Sequence, residues 1–131
     1  MNDGLATKGM NKSKGMIAKI VGIMFMSRTA THMAHLKTGS YAKHKALQKF
    51  YEDIVDLADD LSEATQGMYG KMDIPYEAMD GDVSDPIGML TKHVARINAI
   101  AEKCDEPFIG NIIQEVQKLY YGTLYKLKEL N

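Results

Sequence analysis

Tryptophan is absent, cysteine occurs once and proline three times in the 131 residues. A lone Cys104 excludes an intrachain disulfide framework and fits a reducing compartment, so a cytoplasmic location is expected. So few prolines leave long stretches without a breaker, which favours an all-α chain. The most apolar run, Met16 to Met26, is interrupted by Lys19 and falls short of the roughly 20 residues needed to cross a bilayer. A lysine inside that run also argues against a secretory leader. No E-x-x-H occurs, which speaks against a di-iron carboxylate site built inside one bundle. G-x-x-x-x-G-K-[ST], C-x-x-C and G-x-S-x-G are missing too, leaving phosphate-loop, zinc-ribbon and serine-hydrolase readings without support. Asp80-Gly81-Asp82 is turn chemistry that lacks the further ligands of a calcium loop.

What the chain does have is charge asymmetry hidden under a net charge of −1. Residues 1–49 carry nine Lys/Arg and one acid, whereas residues 50–85 carry eleven acids and one Lys. Such blocks are commonly solvated faces, but they also suit a shell with an anionic interior and a basic rim that meets phosphate. Ten methionines at helical spacing read as adaptable core filler. The length sets one domain.

Residues 1–13 show no periodicity and read as a flexible basic tail, leaving 14–131 as the folded domain. Lys8, Lys12 and Lys14 make this tail a candidate DNA contact whose affinity would require many chains held together. Ser13 caps a first helix running to about Thr38. One of its stripes is Ile17, Ile20, Val21 and Met24; a second is Ile23, Met26, Ala30 and Met33. Two apolar stripes imply burial on two sides, hence a subunit interface. A second helix follows Gly39, with Tyr41, His44, Leu47, Tyr51, Ile54 and Ala58 at helical intervals. About seventeen residues rich in turn formers then separate it from a third helix capped by Ser84 or Asp85. Extended, such a segment reaches about 55 Å, enough to return the chain along a bundle. The length favours one long crossover between helices 2 and 3 over simple up-down-up-down order. Asp105 and Pro107 open the fourth helix. His93, near the stripe of helix 3, reads as a core or interface residue.

His32, His44, Asp59 and Glu63 follow one another at intervals of 12, 15 and 4 residues. His44 and Asp59 lie about 22 Å apart along one helix, within about 60° of the same face. One chain cannot close both on one ion. Two copies packed antiparallel about a two-fold axis would bring the His44 end of one to the Asp59/Glu63 end of the other, a ligand set suited to iron or zinc.

The order H-x11-H-x14-D-x3-E, with Gly39 and Tyr41 before the second histidine, resembles the signature of mini-ferritins of the starvation-induced DNA-protecting (Dps) type. The resemblance implies a ferritin-like four-helix bundle, assembled as a dodecamer of two-fold dimers. It implies Fe(II) bound and oxidised between subunits by His32, His44, Asp59 and Glu63. Gln48 stands where that family usually carries Asp, which points to a weakened or altered site. Glu52, Asp56 and Asp60 would help hold ferric mineral, and the tails would protect DNA.

Two other readings stand beside this ferroxidase and iron-storage shell. One is a non-catalytic helical-bundle structural or interaction protein with a decayed metal site, binding DNA or protein. The other is a plain helical dimer whose helix-two carboxylates meet a basic partner.

Overall fold

A computed structural model describes residues 3–130, with side chains from Asn11 onward. The fold is all-α, a bundle of four helices: α1 (Asp3–Lys37), α2 (Tyr41–Tyr69), α3 (Pro86–Ala101) and α4 (Pro107–Glu129). Local signals set three of the four starts. The Ser40 hydroxyl accepts the Lys43 N–H at 3.2 Å, Asp85 accepts from Gly88 at 3.1 Å ahead of Pro86, and Glu106, rather than Asp105, accepts from Phe108 at 3.1 Å ahead of Pro107. Each satisfies a donor that the first helical turn leaves free. α2 stops at Gly70, whose φ of +91° few other residues adopt.

α1 does not start at Ser13. Helical backbone runs ten residues further toward the N-terminus, through a stretch that holds no proline and several good helix formers, so extension from the packed segment meets no breaker.

α1 packs on α2 and α3, and α4 packs on the same two, which puts α2 and α3 at opposite corners of the bundle. α1 and α2 are antiparallel, joined at one end by the 38–40 turn and at the other by the Lys14 ammonium on the Lys71 carbonyl at 3.3 Å. α3 runs against α1, with Ser27 beside His93, and against α4, with Asn98 bonded to Gln117. α2 and α3 are therefore parallel, and the 70–85 connection has to travel the length of the molecule, as its length predicted. Apolar side chains fill the centre, among them Ile20, Met24, Leu47, Leu61, Leu90, Ile97 and Val116, with the Phe50 and Tyr120 rings edge to face at 4.9 Å.

The crossover lies over α1 as a fifth layer. The Pro75 carbonyl comes so close to Gly22 that a Cβ there would sit 2.7 Å from its oxygen. Glycine inside a helix costs about 1 kcal/mol against alanine; here the missing side chain lets the crossover seat. Gly22→Ala is thus expected to destabilise the protein by about 1 kcal/mol or more despite its better helix propensity, and to speed proteolytic nicking within 70–85. A denaturant titration with a gain in midpoint would contradict this packing.

The bundle and its crossover, against which Met26 lies, bury most of the second stripe of α1. Ile23, Met26 and Ala30 are buried within the chain itself, and of that set only Met33 stays exposed. The inference from two stripes to a subunit interface fails for the first three, because a bundle with a crossover buries more of one helix than four bare helices would.

Candidate functional site

Ser27 of α1, His93 of α3 and Tyr120 of α4 meet in the interior, none of them open to solvent. The Tyr120 hydroxyl donates to Ser27 Oγ at 2.7 Å, Ser27 Oγ lies 2.8 Å from His93 Nδ1, and His93 Nε2 lies 2.5 Å from the Asp80 carbonyl. A carbonyl only accepts, so Nε2 carries the proton and Nδ1 accepts the serine hydroxyl. Burial, foremost, holds the His93 pKa below its ordinary value, while the Asp80 carbonyl pulls the other way. Burial likewise pushes the Tyr120 phenol above its ordinary range. The result is a one-way chain of hydrogen bonds tying α4, α1, α3 and the crossover together.

Outside this chain, Arg96 grips Glu77 at 2.5 Å and Asp80 at 3.4 Å, and Lys92 reaches Asp80 at 3.1 Å. The Lys92 hydrogen bond, above all, keeps the Asp80 carboxyl below its ordinary pKa. A serine beside a histidine suggests nucleophilic chemistry, yet no substrate atom reaches a hydroxyl shielded on every side. The pair is a clamp. Cys104 is half-buried, and burial, with help from Asp105, raises its thiol pKa, which works against thiolate reactivity.

His32 and His44, singled out in the sequence, close the α1–α2 corner together with His35. His35 Nδ1 donates to the His44 carbonyl at 2.7 Å, and His44 Nδ1 donates to the His35 carbonyl at 2.9 Å. Their rings stack with centroids 3.5 Å apart, and His32 stacks on Tyr51 at 4.1 Å. Asp59 and Glu63 lie further along α2 on its exposed side, with Asp56 and Asp60. Gln48 donates to Glu52 at 3.0 Å, and Lys49 pairs with Asp53 at 2.8 Å. Among the described residues, no three His, Cys, Asp or Glu side chains of one chain converge as metal ligands. Lys12 is exposed and Lys14 is engaged with Lys71, while the Lys8 side chain lies outside the described residues.

The least expected surface is apolar. Phe25, Met33 and Leu36 stand exposed along one ridge of α1, with Thr29 between them. Beside them Phe25, Met26 and Thr29 form a groove of about 400 Å³ with crossover residues that include Ile74, Tyr76 and Met79. The period of α1 alone carries a trace of this ridge, since residues 25, 29, 33 and 36 share one side. What lines the other bank could not be read without the crossover. No helix among the described residues is long and apolar enough to cross a membrane.

Fold and surface together define a small helical bundle with an internal polar clamp and a bare apolar ridge. The chain belongs to a family of unknown function (DUF5856), whose model matches residues 35–127. It is 28% identical over 111 residues to an uncharacterized 14.6 kDa protein from the mobD-ri intergenic region of Enterobacteria phage T4, covering 82% of this chain and 84% of that one. No solved structure matches. This membership overturns the mini-ferritin resemblance: the family that matches is a different one, and the histidine spacing that suggested mini-ferritins serves the α1–α2 corner. The iron ligands and mineral site carried by that resemblance are not retained.

Proposed function

We propose that the protein acts by binding another macromolecule, as a non-catalytic helical interaction protein. The observation behind this reading is the ridge of Phe25, Met33 and Leu36 with its crossover groove. A chain that buries Ile20, Phe50 and Tyr120 completely has the means to bury such side chains. Leaving them together on one face has a cost in water that a bound partner offsets. The bundle supplies a rigid platform: the polar clamp and the Arg96–Glu77 pair fix the crossover, and the crossover fixes one bank of the groove.

The test is covalent trapping in cells. A photoreactive phenylalanine analogue placed singly at Met33 and at Leu36 is expected to give protein adducts on illumination. The same analogue at exposed Gln114 of α4, the helix diagonal to α1 across the bundle, serves as the control. Adducts from the ridge well above the control support the reading. Equal or lower yields from the ridge would remove its ground.

A further inference from the structure

We infer that the occupant of the ridge is a second copy of this chain, with two α1 helices packed antiparallel about a two-fold axis at Thr29. This rests on the reading of the ridge as a binding surface and names its partner.

Three observations point to self-pairing. The first is register. Leu36 stands seven residues after Thr29 and Gly22 seven before it, while Met33 and Phe25 stand four to either side. A two-fold axis at Thr29 therefore places Met33 of each copy over Phe25 of the other, and the protruding Leu36, 74% exposed, over the Gly22 end of the opposing groove. Both are isologous contacts, made twice. Thr29 is small enough at the axis for the helices to approach closely, and methionine against an aromatic ring is a favourable pair.

The second is charge. Lys37 follows Leu36 at one end of the ridge, and Asp73 precedes Ile74 at the other, where Pro75 covers Gly22. Antiparallel pairing sets the Lys37 end of one copy beside the Asp73 end of the other, where exposed Lys19 and Lys71 also stand, so the rim carries charge of both signs where the centre is apolar. No charged residue is exposed on the ridge between Phe25 and Leu36.

The third is area. Phe25, Met33, Leu36, Ile74, Tyr76 and Met79 are between 38% and 105% exposed. At about 200 Å² for each side chain, they present roughly 700 Å² per copy, close to the about 800 Å² that each partner in a stable interface buries. A partner that covered only the three α1 residues would leave the groove open.

The experiment takes the full chain. Its mass by light scattering at about 100 µM is expected near twice 14.6 kDa, and Met33→Glu with Leu36→Glu is expected to weaken association more than tenfold at unchanged helicity. In a Cys104→Ser background, Thr29→Cys should cross-link to its mate under mild oxidation, because the axis brings the two positions within disulfide reach. Gln114→Cys should not. A wild-type monomer that still gives ridge adducts to a different protein would overturn self-pairing and leave the interaction reading intact. A monomer without ridge adducts would overturn both. A dimer whose mass survives the double glutamate change, with Thr29→Cys uncross-linked, would place the contact elsewhere and overturn this assignment.

Discussion

Replacing His93 with alanine is expected to lower the unfolding free energy by about 3–4 kcal/mol, a large part of the 5–15 kcal/mol that holds a typical domain. Several losses act together. The Ser27 hydroxyl loses its acceptor and the Asp80 carbonyl its donor, each at about 1–3 kcal/mol when no water replaces them. Removing most of a fully buried ring also leaves a cavity, lined by groups whose positions are fixed from four segments of the chain. A water entering that cavity would recover some of the hydrogen bonding but none of the packing. Tyr120→Phe supplies the contrast: it deletes one hydroxyl, keeps the ring against Phe50, and should cost about 1 kcal/mol. Denaturant titrations of the three proteins measure both values. A loss below about 1 kcal/mol for His93→Ala would show that the crossover is held mainly by the Arg96 and Lys92 ion pairs.

The sequence carries much of the fold because each of its signals is local. The Ser40 and Asp85 caps, the prolines at the starts of α3 and α4, and the turn-rich stretch around Gly70 and Gly81 all act within a few residues of the boundary they mark. The N-terminal turns of α1 were hidden for the same reason. Nothing near Ser13 stops a helix, and capping propensity alone does not start one when the chain before it can also be helical. Crossover length was legible as a reach requirement. Its route over Gly22 was not, since that depends on a close approach between residues 53 apart in sequence.

The site residues divide along the same line. His35 and His44 stand nearly equidistant from the 38–40 turn, so any tight antiparallel pair of helices joined there brings them face to face. The spacing read as a ligand signature was that of His32 and His44, whereas the hairpin pairs His44 with His35 and sets His32 against Tyr51; Asp59 and Glu63 lie about four and five turns beyond His44 on the same helix. Conversely, His93 was correctly placed near the core stripe. Its partners Ser27, Tyr120 and Asp80 come from three other segments and leave no periodic trace. The exposed ridge was partly visible as apolar residues on α1, but only the folded crossover shows which of them the chain covers for itself.

Acid is expected to loosen the protein through the same clamp. Burial holds the His93 pKa below its ordinary value, against the pull of Asp80 and with the help of nearby Arg96 and Lys92. The Ser27 and Tyr120 hydroxyls face the ring without titrating in this range. In the unfolded chain an imidazole takes up its proton near pH 6.5. Between that value and the lower folded one, the unfolded state binds more protons, so falling pH favours unfolding. The contribution of His93 is full above about pH 6.5, declines as pH falls toward the folded pKa, and is flat below it, with a slope of at most about 1.4 kcal/mol per pH unit for one proton. His32, His35 and His44 are common to both proteins when the wild type is compared with His93→Gln, which keeps an amide able to donate and accept but removes the proton uptake of His93. Measured between pH 7.5 and 5.0, the wild type should lose more stability than His93→Gln, although it starts the more stable of the two. Parallel profiles would mean that the ring is protonated as readily inside the bundle as outside it. The one-way order from Tyr120 to the Asp80 carbonyl forbids that, because a protonated Nδ1 has no lone pair left for Ser27.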